Sequence, residues 1–169
     1  EISEASRIDA ELSRATFEPI DIAQLAQNLV ERRESRGENG VCRIELSREG
    51  GSALAMGVPL RIERVLENLL DNAVSCSPRN GVIRVRILRD GDRVETSVCD
   101  EGPGIPPDAV EKVFTRFHSL RPEAEDFGHH SGLGLAIGRS IAEAHDGTLA
   151  VRDPETGGGA CLVLTLPAA

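Results

Sequence analysis

PLRIERVLENLLDNAVSC, residues 59–76, is the stretch on which the reading of this chain turns. Ile62, Val65, Leu66, Leu69, Leu70 and Ala73 recur at the three- and four-residue spacing of one helical face, wide enough to cover a core. At roughly 100° per residue, Asn68 and Asn72 fall about 40° apart on one stripe with Arg61 and Arg64, bordering that face. Two asparagines one turn apart at the edge of a core present carbonyl oxygens to a single ligand such as a hard cation. The alternative is that they bond neighbouring backbone, as buried polar groups must. Glu63, Glu67 and Asp71 lie on the outward arc and read as a solvated face.

Upstream, residues 1–16 carry Ile2, Ala5, Ile8 and Leu12 at roughly helical spacing, as if ending a helix whose partner is missing. The chain begins mid-pattern and without Met, so a piece of something longer is expected. Pro19 stops that helix and Asp21 can cap the next, which runs through Ile22, Leu25, Ala26, Leu29 and Val30 towards Gly37. Residues 41–49 and 52–56 alternate as short strands. Residues 81–88 and 93–100 alternate again, joined by a turn at Asp90-Gly91. A short helix over 108–114, a polar stretch to 131 and a helix over 133–145 follow. Strands at 147–153 and 160–167 are linked by a glycine-rich turn. Helices mixed with mostly antiparallel strands imply an α/β two-layer sandwich.

Two glycine-bearing segments invite ligands. In CDEGPGI, Asp100 ends a strand and Gly102 and Gly104 let backbone approach something closely. A carboxylate there suits an exocyclic amine, or the segment is simply a turn. HHSGLGLAIGRS, residues 129–140, is neither a dinucleotide fingerprint nor a P-loop. Ile137 stands where the third glycine belongs, no strand precedes it, and no Gly-Lys-Ser/Thr occurs. Glycines opening a helix still leave free N–H groups at a positive dipole end. Phe114, Phe117 and Phe127, three of only four aromatics, cluster just before this loop. They are anchors of a mobile lid or ordinary loop anchors.

With 169 residues, the chain has room for one domain with a real core, and that core must be aliphatic, since aromatics reach only 2%. A net charge of −9 argues against nucleic acid as a partner. Cys42, Cys76, Cys99 and Cys161 are scattered singly, so a reduced chain is expected, without disulfides or zinc.

The order RVLENLLDNAV, DEGPGI, VFTRF, SGLGLAI resembles the N, G1, F and G2 boxes of sensor histidine kinases. Their superfamily, GHKL, includes DNA gyrase, Hsp90 and MutL. The resemblance covers residues 19 to 167. It implies a Bergerat ATP-binding fold with a mixed, mostly antiparallel sheet and helices on one face, spanning 17–169. Residues 1–16 would be the tail of the dimerisation helix, and about 106–131 the ATP lid. By the same resemblance ATP and Mg²⁺ are the cofactors and Asn68 and Asn72 the catalytic pair. Asn72 would hold the metal, with Asn68 near the phosphates. Asp100, Gly102, Gly104 and Ile105 would meet adenine. Arg121, Ser131, Gly132, Leu133, Gly134 and Leu135 would line the phosphates.

The gyrase and MutL branches carry a water-activating glutamate where this chain has Asn68, so ATP would be kept for another nucleophile. None of His118, His129, His130 or His145 has the H-E-x-x-x-P context of a phosphoacceptor, which the resemblance therefore puts upstream. The implied partners are that dimerisation and phosphoacceptor domain, a cognate response regulator and, in the parent, a second copy of itself. The implied location is a cytoplasmic domain of a parent anchored in the inner membrane. Residues 121–137 and the start ASRIDAEL are also similar to ChvG-type membrane sensor kinases. Ser75, Cys76, Glu101, His118, Ser119 and Ala160 depart from the commoner family pattern. Those departures motivate two alternatives, a degenerate nucleotide-binding regulatory module and a serine kinase of the anti-sigma-factor type.

Overall fold

The computed structural model describes residues 16–105, 108, 114, 134–152 and 159–169. The implied dimerisation tail, apart from Thr16, and the implied lid, apart from Asp108 and Phe114, lie outside the described residues.

A five-stranded sheet runs in the order β2 (Arg43–Glu49), β4 (Val82–Asp90), β5 (Arg93–Cys99), β7 (Cys161–Pro167), β6 (Thr148–Arg152). The β2–β4 pair is parallel and the other three are antiparallel. A separate two-stranded ribbon joins β1 (Glu18–Asp21) to β3 (Leu54–Gly57). The two strands expected at 41–49 and 52–56 therefore belong to different sheets. EPID, read as a break before a helix, is a four-residue strand, because its backbone finds β3 to pair with.

Among the described residues three helices pack on the sheet: α1 (Ile22–Arg36), α2 (Pro59–Cys76) and α3 (Gly134–Ala144). Asp21 caps α1 as its spacing predicts, accepting the Gln24 N–H at 3.1 Å. Gly37 ends the helix at φ 69°, a left-handed conformation that favours glycine. The core forms between the helices and one sheet face, where Ile83, Val85 and Ile87 of β4, Val94 and Val98 of β5, and Leu162, Leu164 and Leu166 of β7 meet Ile62, Val65, Leu66 and Leu69 of α2. Period-two alternation buries every second strand residue. The opposite sheet face is laced with ion pairs: Arg86–Glu49, Arg84–Glu45 and Arg152–Glu95.

Two buried polar side chains help bind the helices to one another. Arg33 of α1 is 1% exposed and donates to Asp71 Oδ1 at 2.8 Å and Asn39 Oδ1 at 2.9 Å, with Glu67 within 3.9 Å. Arg32 pairs with Glu63. The acidic arc of α2, expected to be solvated, is thus held by α1. An arginine can lie buried there because its guanidinium is satisfied by partners that still touch water. The second contact is His145, just beyond α3 and 2% exposed. Its Nδ1–H donates to the Ile141 carbonyl at 2.7 Å, and its Nε2 accepts the Val58 N–H at 3.1 Å, at the mouth of α2. Phe17 stacks on the ring at 4.8 Å.

The expectation of reduced cysteines is overturned: Cys99 and Cys161 are joined by a disulfide, since residues 62 apart in sequence are directly opposed across β5 and β7. Cys42 and Cys76 lie outside it. No helix among the described residues is long and apolar enough to cross a membrane.

Two outcomes are expected. Arg33→Ala should lower unfolding free energy by about 2–4 kcal/mol, whereas Asp71→Asn should cost under about 1 kcal/mol, because that carboxylate is half-exposed; urea midpoints check both. Burial holds the His145 imidazole below its usual pKa, against the Ile141 bond and the nearby Asp146 charge. Its neutral form is therefore the folded one, and its contribution is complete above about pH 6.5 and lost as pH falls through the folded value. Urea midpoints from pH 8 to 5 should fall more steeply for wild type than for His145→Gln.

Candidate functional site

The carboxylate of Asp100 sits where β5 ends, 7% exposed. Its Oδ1 accepts the Gly102 N–H at 2.8 Å and the Ala160 N–H at 3.2 Å. The Asp100 N–H in turn donates to the Ala160 carbonyl at 2.9 Å, carrying the β5–β7 ladder one step further. Burial pushes the carboxyl above the ordinary carboxylate range, and the two N–H bonds act in the opposite sense. Both of these donors go to Oδ1, so the arrangement suits a further donor arriving at Oδ2.

The glycines beside it are needed for close backbone approach. A Cβ at Gly102 would fall 2.2 Å from the Cys76 carbonyl oxygen, and one at Gly159 would fall 2.0 Å from that of Asp100. Gly104, at φ 82°, faces the Gly159 carbonyl. The expected close approach at 102 and 104 is therefore made first of all to the end of α2 and the start of β7. Ile105 packs half-buried against the core.

On α2, Asn68 and Asn72 are both half-buried on the stripe beside the apolar face. Asn68 Nδ2 donates to the Gly134 carbonyl at 3.2 Å, tying α2 to the first residue of α3. Gly134 lies directly over that amide, its Cβ position 3.7 Å from Asn68 Cγ. Leu135, one residue on, packs against the core. The fold thus brings Asn68, Gly134 and Leu135 together, with Asn72 one turn along α2 and Cys76, at its end, against Gly102. Arg121, Ser131, Gly132 and Leu133 lie outside the described residues. So do Phe117 and Phe127, whereas Phe114 is buried with the Arg139 guanidinium 4.6 Å over its ring, an anchor to α3.

Sequence reasoning missed the part Ala160 plays. It donates through its backbone N–H, so its side-chain type carried no signal. No group of three or more His, Cys, Asp or Glu side chains able to hold a metal occurs among the described residues. An oxygen-ligated cation here would take an asparagine carbonyl and complete its shell from a ligand and water, the habit of Mg²⁺.

Residues 57–169 match the family described as "Histidine kinase-, DNA gyrase B-, and HSP90-like ATPase". The chain is 43% identical over 180 residues to the sensor protein ChvG of Rhizobium meliloti, an alignment covering 99% of this chain and 31% of that protein. It spans under a third of the length of the curated relatives it matches first. Among solved structures, the mycobacterial sensor histidine kinase MprB superposes with a TM-score of 0.74 at 31% identity, over 90% of this chain and 97% of that one. Full-length ShkA in complex with AMPPNP gives a TM-score of 0.74 at 30% identity, over 95% of this chain and 34% of that one. By that family match and by the whole-chain likeness to sensor kinases, the chain belongs to the histidine kinase-, DNA gyrase B- and HSP90-like ATPase family, as an ATP-binding catalytic domain of the sensor histidine kinase kind.

Proposed function

We propose that this chain binds Mg-ATP between α2, the Asp100 loop and the start of α3, and presents the γ-phosphate to a histidine on a dimerisation domain. The observation that carries the reading is the Asp100 carboxylate, buried and fixed through Oδ1 by Gly102 and Ala160. A fixed, desolvated carboxylate is matched by an amine N–H rather than by a carbonyl, which is the difference between adenine and guanine. The AMPPNP in the ShkA complex supports the same ligand class.

On this reading Asn72 contributes a carbonyl oxygen to Mg²⁺, and the metal neutralises phosphate charge. Asn68, held by Gly134, orients the phosphates without aiming a base at water, which leaves the γ-phosphate for a histidine. Gly102, Gly104 and Ile105 border the base. Gly132, Gly134 and their neighbours Ser131, Leu133 and Leu135 supply the helix-opening end of the phosphate side, with Arg121 approaching from the lid. The sensor-kinase names of relatives aligned over the whole chain favour this over a serine kinase or a degenerate module.

The parent is read as a homodimeric, inner-membrane-anchored sensor with this domain in the cytoplasm. Its phosphohistidine would serve a cognate response regulator.

The test is calorimetric titration with ATP, with and without Mg²⁺. Wild type should bind at least about tenfold more tightly with Mg²⁺, a gain equivalent to about 1.4 kcal/mol, and Asn72→Asp should lose that gain while keeping its melting temperature. Wild-type Mg²⁺ dependence in the variant would overturn the assignment.

A further inference from the structure

The face of the sheet turned away from the helices carries a second constellation. Cys99 and Cys161 oppose each other across β5 and β7 and are bonded through their sulfurs. The same row continues outward in register, with Arg84 of β4 opposite Cys99 and Arg152 of β6 opposite Cys161. Residues in one row of a sheet share a face, so Arg84 and Arg152 flank the cysteine pair, with their guanidiniums on neighbouring glutamates. Both side chains are about half exposed, at 50% and 56%, beside Glu45 and Glu101 for Arg84 and Glu95 for Arg152. Cys161 is 4% exposed and Cys99 half-buried, so Cys99 is the more accessible of the two.

The pair is also next in sequence to the nucleotide carboxylate. Asp100 follows Cys99 and Ala160 precedes Cys161. The Ala160 N–H bond to Oδ1 and the Asp100 N–H bond to the Ala160 carbonyl both cross the two strands that the disulfide ties together.

We propose that Cys99–Cys161 is a thiol–disulfide exchange site for small thiols and disulfides of the glutathione class, and that its oxidation state sets how firmly Asp100 is held for the nucleotide. Only the second half rests on the nucleotide reading. In the reducing direction, a thiolate attacks Cys99 Sγ, the S–S bond breaks, and Cys161 leaves as a thiolate that takes up a proton. A second thiol then attacks the mixed disulfide, releasing Cys99 and carrying the two reductant sulfurs away as their own disulfide. Two electrons pass to the protein, and oxidised glutathione runs the sequence in reverse. Arg84 and Arg152, in the row of the sulfurs, lower the cost of the thiolates in their partly neutralised surroundings. In a reducing compartment such a bond exchanges rather than persists.

The test equilibrates the 169-residue chain in glutathione buffers of graded ratio, traps thiols by alkylation, and maps them by mass. Amide hydrogen exchange at Gly102 and Ala160 and the ATP affinity are read on the same samples. One two-electron transition confined to Cys99 and Cys161 is expected. Reduction should speed both amides and weaken ATP about tenfold, the scale of one charge-assisted hydrogen bond. Cys99→Ser/Cys161→Ser should stay at the reduced values in every buffer, and Cys42→Ser should respond as wild type. If both sulfurs alkylate even in the most oxidising buffer, or if neither the amides nor the affinity follows the transition, the proposal is overturned. If the amides follow it while ATP binds in neither state, the exchange site stands and the nucleotide reading fails.

Discussion

A carboxylate taken almost wholly out of water needs hydrogen-bond donors, and Oδ1 of Asp100 has two because two pieces of backbone converge on it. Gly102 brings one N–H from the loop after β5, and Ala160 brings another from the start of β7. Gly102 can lie there only by pressing on the Cys76 carbonyl at the end of α2, and Gly159 only by pressing on the Asp100 carbonyl. The end of one helix and the ends of two strands are therefore registered to each other within the radius of a methyl group. A side chain at either glycine would push them apart, and the carboxylate would lose a donor while remaining buried.

Helix α2 transmits that registration to the rest of the domain. Its apolar face fills the core, its asparagine stripe reaches Gly134 at the opening of α3, and its acidic arc closes on the buried Arg33 of α1. His145 returns the contact from the far end of α3 to the mouth of α2. Helix α3 is thus joined to α2 at both of its own ends, by an amide and by an imidazole. A displacement of α3 at Gly134 has to be absorbed either at Asn68 or by rotation about the His145 contact.

How much of this was legible depended on whether the signal was local. The bounds of α2, the cap at Asp21, the left-handed stop at Gly37 and the hairpin near Gly91 were all readable, because each is decided within a few residues. The parallel β2–β4 pairing, the EPID strand and the Cys99–Cys161 bond were not, because each needs a partner far along the chain. Alternation put Cys99 and Cys161 on definite faces of their own strands, but only the β5–β7 register makes those faces coincide. Arg33 was hidden for a related reason, since an arginine among several in ERRESR looks solvated until Asp71 is seen across from it. The ordered motifs singled out Asn68, Asp100, Gly102 and Gly134, which the fold joins in pairs, whereas the donor role of Ala160 escaped because it is a main-chain N–H.

The central claim is that Asp100 reads the amine of adenine, and the most direct measurement is a paired calorimetric titration with ATP and GTP under identical Mg²⁺. GTP presents a carbonyl where ATP presents an amine, so it would set an acceptor against a buried acceptor. The account predicts that ATP binds at least about a hundredfold more tightly, corresponding to about 2.7 kcal/mol, and that Asp100→Asn removes most of the difference. Equal affinities for the two nucleotides in wild type, or discrimination that survives Asp100→Asn intact, would contradict it.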